Sequence, residues 1–302
     1  MKFIDIHTHG IGGYDTRTLS ESDILNMAGI HASAGVSAIM PTIYPDTIEV
    51  MRENMLAVKR AMELQRSEVF PLPWGERDRV RGNKTATILG IHLEGSFLNP
   101  KRCGALNAEA FLEPTEFNLE KLLDGFEEMI KLITIAPEME GATRLIRKIS
   151  DRGIVASMGH SDATYAEAEA GYHAGAKGIT HLFNAMRGFH HREPGIAGFG
   201  LLNKDIYIEI IADRYHLHPK ALELIFKTKN PERIILVSDS VKETKTSEGE
   251  MKQGVVDDSG RLQGGAMTIT ESSERLIELG FDEEVIVGCI TRNPADYLSS
   301  ST

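Results

Sequence analysis

Eight short runs rich in aliphatic and β-branched residues recur along the chain, and stretches with helical periodicity separate most of them. We predict strands at residues 3–6, 37–40, 86–93, 130–135, 154–157, 178–180, 206–211 and 234–237. We predict helices at residues 21–33, 47–65, 142–150, 165–174 and 219–226, and irregular segments after the third and sixth strands. This α/β alternation is typical of a parallel sheet, and eight such units fit a closed (β/α)8 TIM-type barrel.

The length of the chain is compatible with one barrel or with two smaller domains. The 302 residues exceed the roughly 250 that a typical barrel needs. A doubly wound open sheet would also explain the alternation, but no G-x-G-x-x-G motif follows the first strand, which disfavours a dinucleotide-binding domain. We therefore expect a single barrel domain over residues 1–302.

Two segments are predicted to be long surface loops. Residues 67–84 contain Arg77, Arg79, Arg81 and Lys84 around the single tryptophan, and residues 242–265 are rich in glycine, serine and charged residues. Long loops in compact domains are often functional or mobile.

Charge, cysteine content and the lack of long apolar runs indicate which partners and which cellular compartment to expect. The 33 basic and 44 acidic residues give a net charge of −11, which argues against nucleic acid or an anionic membrane as the main partner. Two cysteines, Cys103 and Cys289, do not make a disulfide framework and indicate a reducing compartment. The N-terminus has no apolar stretch long enough for a signal peptide, and no run of 18 apolar residues occurs. We expect a cytoplasmic protein.

Side chains that bind metal ions follow five of the eight predicted strands. Six of them form the predicted metal site: His7, His9, Glu94, His160, His181 and Asp239. Barrel enzymes carry their active sites where the strands end and the following loops begin, so these side chains are expected at one face. Any one of them alone would be an ordinary core histidine or a helix cap. Their coincidence at strand ends is the observation that predicts a metal site.

The spacing of His7 and His9 fits metal binding, because residues two apart on a strand point to the same side. Imidazole and carboxylate together suit zinc, iron, manganese or nickel. Four histidines with Glu94 and Asp239 exceed the need of one tetrahedral ion. They could serve two ions that share Glu94, or one ion with spare groups.

For five other histidines and Glu138, the sequence gives weaker reasons to expect a place in the metal site. His31 and His173 lie in helical patterns and are expected to be structural, and His190 and His191 are expected to be solvated. His92 shares a strand face with Glu94, and we favour barrel filling for it over support of the metal site. Glu138 either braces the site or is an ordinary loop carboxylate.

Seven stretches of the chain resemble the amidohydrolase superfamily and, within it, the deacetylases of amino-sugar phosphates. They are residues 5–10, 92–100, 134–138, 159–164, 180–186, 192–195 and 293–295. The most specific is Thr-His-Leu-Phe-Asn-Ala-Met at residues 180–186. The resemblance implies metal-dependent hydrolysis of the acetamide of N-acetylglucosamine 6-phosphate, which yields glucosamine 6-phosphate and acetate. It implies a small-molecule substrate and a divalent metal cofactor, one or two ions, zinc first and iron or manganese as alternatives.

The resemblance also implies roles for individual residues. Glu94, His160 and His181 would bind metal, and Asp239 would be the catalytic carboxylate. The substrate-binding residues it implies are Ala105, Leu106, Asn184, Ala185, Arg192, His216, Leu262, Gln263 and Gly264. Arg192 and His216, with the backbone around Asn184, would hold the phosphate, although without the resemblance Arg192 could equally pair with Glu193.

Several positions depart from the family pattern and leave the sugar epimer open. The family's Gly-Ala-His is Gly104-Ala105-Leu106, so a histidine that contacts substrate is replaced by Leu106. Its Glu-Gly-Pro-Phe has Ser96 for proline, and its Asp-Gly-x-His carries Arg214 for glycine. The first strand begins at residue 3, so we expect the accessory β-sandwich of the family to be largely absent; a homodimer could cover the exposed underside.

Two other functions compete with deacetylation. One is another amidohydrolase reaction on the same metal site, such as opening of a cyclic amide or deamination of a nucleobase. The other is metal binding without turnover, and Asp239 argues against it, because a pure binding site needs no group that transfers protons.

Overall fold

A computed structural model describes residues 2–67, 85–246, 254–256 and 260–300. Eight parallel strands form the sheet at its centre: β1 (Phe3–Thr8), β2 (Val36–Ile43), β3 (Ile91–Phe97), β4 (Ile130–Ile135), β5 (Val155–Met158), β6 (Gly178–Ile179), β7 (Tyr207–Ile211) and β8 (Ile234–Val237). Each strand pairs with the next one along the chain. The predicted loop at 67–84 lies outside the described residues except for Ser67, and so does much of 242–265.

The last strand returns to the first and closes the barrel. The backbone N–H of Asp239 donates to the carbonyl of His7 over 2.9 Å, and the N–H of His9 donates to the carbonyl of Ser240 over 2.8 Å. The predicted TIM-type barrel is therefore confirmed. Closure brings the ends of β1 and β8 together, although more than 220 residues separate them in sequence.

Ten α-helices accompany the strands in the described part of the chain: α1 (Glu21–Ser33), α2 (Ile48–Arg66), α3 (Glu116–Leu123), α4 (Ala142–Asp151), α5 (Tyr165–His173), α6 (Gly195–Leu202), α7 (Pro219–Thr228), α8 (Ile269–Glu278), α9 (Glu283–Ile290) and α10 (Arg292–Ser299). Helix α2 shows why they form. The hydroxyl of Thr47 caps its N-terminus, and Met51, Met55, Val58 and Met62 recur at helical spacing on its buried face. No helix in the described ranges is long and apolar enough to cross a membrane.

The predicted irregular segments after the third and sixth strands are wrong, because each contains a helix. Helix α6 is buried from Gly195 to Leu201, so its sequence has no polar face and shows no helical period. Helix α3 has only eight residues. The single strand predicted at 86–93 is also wrong, since Thr87–Ile88 pairs separately with β2. A Cβ at Gly90 would lie 2.5 Å from the carbonyl oxygen of Met129, which forces a glycine at this break.

The N-terminal end of the barrel is filled by Tyr297 of α10. Its side chain is fully buried, and its ring lies 4.9 Å from that of Tyr207 at the start of β7. A Cβ at Gly178 would lie 1.9 Å from the Tyr297 hydroxyl oxygen, so the glycine makes room for the ring. With this end closed, the opposite end is where a site can open to solvent.

Candidate metal centre and substrate cleft

The six predicted metal ligands come together at the C-terminal end of the barrel. His7 and Glu94 lie within β1 and β3, and the other four follow their strands by one or two residues. Their ligating atoms form two groups, and within each group these atoms lie within 4.8 Å of one another. One group is His7, His9 and Asp239, and the other is Glu94, His160 and His181.

Glu94 joins the two groups, because its carboxylate contacts all four histidines. Its Oε1 lies 2.8 Å from His181 Nε2, 3.2 Å from His160 Nε2 and 3.3 Å from His7 Nε2, and its Oε2 lies 2.9 Å from His9 Nε2. Asp239 Oδ1 lies 3.3 Å from His7 Nε2 and 3.6 Å from His9 Nε2. A single carboxylate is thus placed to bridge two neighbouring binding positions.

The other ring nitrogens show that these imidazoles suit a metal ion. His9 Nδ1 lies 3.0 Å from the carbonyl oxygen of Thr42, and His160 Nδ1 lies 2.9 Å from that of Arg102. A carbonyl oxygen only accepts, so each Nδ1 carries the proton, and in a neutral ring Nε2 directs a lone pair at Glu94. A lone pair opposite a carboxylate needs a cation between them. The donor set fits a divalent transition metal.

The charges at the centre follow from burial and mutual contact. Burial alone would raise the pKa of Glu94, but the surrounding histidines, the charge of His7 first, hold it well below its usual range. Burial alone would lower the pKa of His7, yet Glu94 and Asp239 raise it well above the ordinary value. Glu94 is therefore an ionised carboxylate, although the residue is only 3% exposed.

Strained backbone coincides with this site. His160, His181 and Asp239 have φ angles of 46°, 30° and 46°, in the left-handed region that residues other than glycine rarely adopt. Phe183 and Ala185, at 77° and 47°, share it. Such conformations persist where surrounding bonds hold them and are common at functional sites.

Glu138 braces the loop that follows His160, as one of the two predicted alternatives had it. Its Oε1 accepts from the backbone N–H of Asp162 at 2.6 Å and from Asn99 Nδ2 at 2.9 Å. Its Oε2 accepts from the Ser161 hydroxyl at 2.7 Å. The carboxylate thus fixes the loops after β3 and β5 relative to each other.

Several neighbours of the centre lie inside the barrel or against its ligands. His92 is fully buried between the hydroxyls of Thr42 and Thr134, so it fills the barrel as favoured. No sequence pattern pointed to Tyr44, whose ring stacks on His9 with 3.9 Å between centroids. It also missed Glu209, whose carboxylate contacts His7. A lone carboxylate within the apolar strand Tyr-Ile-Glu-Ile-Ile was the available signal.

A cleft of about 390 Å³ opens over the metal centre. The predicted substrate residues that line it are Ala105, Leu106, Asn184, Ala185, His216, Leu262, Gln263 and Gly264. Arg192 does not line the cleft. It is exposed on a turn that is closed by an antiparallel β-bridge between His190 and Glu193. Arg261 was not predicted from the sequence. It lines the cleft, and its guanidinium donates to the carbonyl of Gly104 over 2.8 Å.

His216 lines this cleft and is paired with a carboxylate. Its Nδ1 lies 2.9 Å from Asp213 Oδ2. Burial lowers its pKa, but the hydrogen bond to Asp213 and the charges of Asp213 and Asp239 outweigh burial and raise it. Arg214, which replaces the family's glycine, is exposed and leaves the pair of Asp213 and His216 intact.

The family model and the relatives in sequence all point to the same family of hydrolases. The amidohydrolase family model matches residues 2–301. N-acetylglucosamine-6-phosphate deacetylase of Vibrio furnissii is 33% identical over 276 residues, which are 88% of this chain and 65% of the relative. N-acetylgalactosamine-6-phosphate deacetylase of Escherichia coli O157:H7 is 32% identical over 92% of this chain and 71% of its own length. The N-acetylglucosamine-6-phosphate deacetylase of Bacillus subtilis is 37% identical, and the chain spans 60% of its length.

Solved structures agree with the sequence relatives. The N-acetyl-D-glucosamine-6-phosphate deacetylase of Mycobacterium smegmatis superposes with a TM-score of 0.86 at 27% identity, over 98% of this chain and 77% of that one. The corresponding enzyme of Thermotoga maritima gives a TM-score of 0.83 at 29% identity with the same coverage. A mutant of the Mycobacterium enzyme was solved in complex with N-acetyl-D-glucosamine-6-phosphate.

Proposed function

Because this chain belongs to the amidohydrolase family, we propose that it removes the acetyl group from an N-acetyl amino-sugar phosphate. N-acetylglucosamine 6-phosphate is the proposed substrate, and glucosamine 6-phosphate and acetate are the products. The observation that carries the proposal is the Glu94 carboxylate in contact with four histidines, beside Asp239 and below the cleft that contains His216. The names of the relatives supply the substrate class.

The proposed cofactor is a divalent transition metal, with zinc first and iron or manganese as alternatives. Glu94, His160 and His181 would hold one ion, and His7, His9 and Asp239 would hold a second that shares Glu94. Bound metal supplies a Lewis acid that polarises the acetyl carbonyl and acidifies water near neutral pH. The Nδ1 hydrogen bonds of His9 and His160 keep their Nε2 atoms aimed at these positions.

Asp239 is the proposed proton carrier. Its side chain is 13% exposed, against 4% for Glu94, so it is the more open carboxylate of the centre. It takes a proton from the attacking water and later gives it to the departing nitrogen. An amine leaves poorly unless it is protonated, so one carboxylate serves first as base and then as acid.

The proposed phosphate site uses the positive end of the cleft. His216 supplies the imidazolium charge, and the turn at Asn184 and Ala185 lies beside it in the cleft lining. Arg192 keeps a proposed role as a planar, bidentate phosphate ligand. Its exposed position means that this role requires the turn to swing inward when substrate binds.

A second candidate function is another amidohydrolase reaction, such as cyclic-amide hydrolysis or deamination. The exposed Arg192 and the apolar Leu106 favour it, because both remove polar contacts expected for the sugar phosphate. The charged His216 in the cleft favours the phosphorylated substrate.

Acetate release from a matched panel tests the proposal. The panel is N-acetylglucosamine 6-phosphate, its galacto and manno epimers, unphosphorylated N-acetylglucosamine, and a cyclic amide and a nucleobase as competing substrates. We expect acetate from at least one phosphorylated sugar and far less from the unphosphorylated one, with Asp239→Asn protein as the inactive control. Turnover of the cyclic amide or the nucleobase, with no acetate from any sugar phosphate, would replace deacetylation with the second candidate.

A further inference from the structure

A buried carboxylate lies directly beneath the metal centre. Glu209 is in the middle of β7 and is 1% exposed. Ile211, two residues further along the same strand, lines the cleft, and residues two apart on a strand share a face. Glu209 therefore points into the barrel, one step deeper than the cleft itself.

Glu209 contacts the far side of a predicted metal ligand. Its Oε2 lies 3.2 Å from His7 Nδ1, while His7 Nε2 faces Glu94 Oε1 and Asp239 Oδ1, both at 3.3 Å. An ionised carboxylate only accepts hydrogen bonds, so His7 Nδ1 donates and carries the ring proton. This leaves Nε2 directed at the centre.

The four histidines of the centre differ in the hydrogen-bond partner of their Nδ1 atoms. Backbone carbonyls accept from Nδ1 of His9 and of His160. His181 Nδ1 has no hydrogen-bond partner among the described residues. Of the described groups that accept from these Nδ1 atoms, Glu209 is the one that belongs to a side chain and that a substitution can therefore remove.

We propose that Glu209 is a positioning residue that orients His7 and thereby sets the metal affinity of the group formed by His7, His9 and Asp239. The inference rests on the proposed metal-dependent function. Outer partners of metal-bound histidines fix the ring and make it a better ligand, and their loss typically weakens binding about 10- to 100-fold. Glu94, His160 and His181 lie outside this contact, so their affinity for an ion stays unchanged.

The environment of Glu209 argues against a purely structural role. Its second oxygen, Oε1, has no hydrogen-bond partner among the described residues. A buried carboxylate with an unsatisfied oxygen is unfavourable for folding, and an apolar side chain would suit the barrel interior better. Its contact with His7 accounts for a carboxyl group at this position.

Metal titration of four proteins tests the inference. Metal-free wild type, Glu209→Leu, Glu209→Asp and Ser157→Ala are titrated with zinc against a chromophoric chelator, and circular dichroism checks that each is folded. Ser157 is the matched control, because it is a buried barrel residue whose hydroxyl accepts from Thr180 and forms no hydrogen bond with the four histidines. We expect Glu209→Leu to bind one of two zinc ions about 10- to 100-fold more weakly, with the other unchanged. Ser157→Ala should match the wild type.

Glu209→Asp keeps the charge but shortens the side chain by one methylene, so it should also weaken one ion. Wild-type zinc affinities in Glu209→Leu, or in Glu209→Asp if the leucine variant does not fold, would overturn the inference. A wild-type protein that binds no transition metal would instead overturn the proposed function, and this inference with it. The two failures are distinguished by the wild-type titration.

Discussion

The imidazole of His216 and the carboxylate of Asp213 form a buried pair, with 2.9 Å between Nδ1 and Oδ2. Asp213 is itself fixed, because its Oδ1 accepts from the backbone N–H groups of Tyr215 and His216. The second ring nitrogen of His216 is left for the cleft that the residue lines. The pair thus holds the His216 imidazole, with a raised pKa, where the proposed phosphate binds.

The raised pKa of His216 predicts a pH-dependent KM. The group is charged below its folded-state pKa, which lies above the ordinary 6.5. As pH rises through that value the imidazolium loses its proton, so KM for a phosphorylated substrate should rise. The phosphate is already a dianion at that pH. Steady-state KM between pH 6.5 and 9 checks this, and His216→Gln should have a high, flat KM. A wild-type KM that does not change with pH would remove His216 from the phosphate site.

Removal of metal should abolish activity. Four imidazoles and two carboxylates meet at the centre, and no described lysine or arginine lies among these contacts to replace a metal ion. We expect a chelator to inactivate the protein and zinc, manganese or iron to restore it. Elemental analysis of active protein is the direct measurement, and active protein without any transition metal would contradict the prediction.

Asp239→Asn should separate binding from turnover. The amide has nearly the shape of the carboxylate but does not take up a proton from water. We expect at least a roughly 100-fold loss in kcat with much of the substrate affinity retained. Because Asp239 also belongs to a ligand group, metal content must be measured on the same sample. A variant with full metal content and near-normal kcat would assign the proton transfer to another residue.

The lowered pKa of His31 predicts that the free energy of unfolding depends on pH. This effect does not require a bound metal ion. His31 is fully buried, its Nε2 lies 3.1 Å from the Thr8 hydroxyl, and burial lowers its pKa from 6.5 to about 4. Between these values the unfolded chain binds a proton that the folded protein does not. Stability from this residue is therefore complete above pH 6.5 and falls as the pH drops towards 4, by about 3 kcal/mol in all.

Urea unfolding of metal-free wild type and His31→Gln measures this effect. The difference between the two unfolding free energies should shrink as the pH falls from 7.5 to 5, since glutamine does not titrate. A constant difference would show that the pKa of His31 is the same in the folded and unfolded states.

The barrel and the meeting of the six candidate ligands at one end of it were predictable, because both follow from short-range patterns. The two-residue period of β1 placed His7 and His9 on one face, and the position after a parallel strand placed Asp239 at the same end. Glu209 could have been noticed as a lone carboxylate in an apolar strand, but its role was not predictable, because it depends on a contact with His7, 202 residues away in sequence. Helix α6 escaped detection because both its faces are buried.

The substrate residues were predicted from the family resemblance, and the structure places all of them except Arg192 in the lining of the cleft. His216 and Leu106 line the cleft, whereas Arg192 lies on an exposed turn, and no pattern in the sequence reveals how a turn is oriented. The cytoplasmic location and the homodimer stay predictions.

Leu106 tests whether the cleft is adapted to a particular sugar. The family resemblance implies a histidine that contacts substrate at this position, and a leucine neither donates nor accepts a hydrogen bond. Leu106 lines the cleft together with His160 and Ala185, so a polar side chain there would reach the bound sugar. One added hydrogen bond is worth about 1 kcal/mol, or roughly fivefold in kcat/KM, for a sugar whose hydroxyl meets it.

We therefore expect Leu106→His to change the ranking of the gluco, galacto and manno phosphates, while the kcat on the best of them stays within roughly twofold. The measurement is kcat/KM on all three epimers, with Leu106→Met as the control that keeps an apolar side chain of similar volume. A uniform, many-fold gain on every epimer would contradict adaptation to one sugar. It would mean that leucine merely weakens a general contact, since a bond shared by all three sugars cannot discriminate among them.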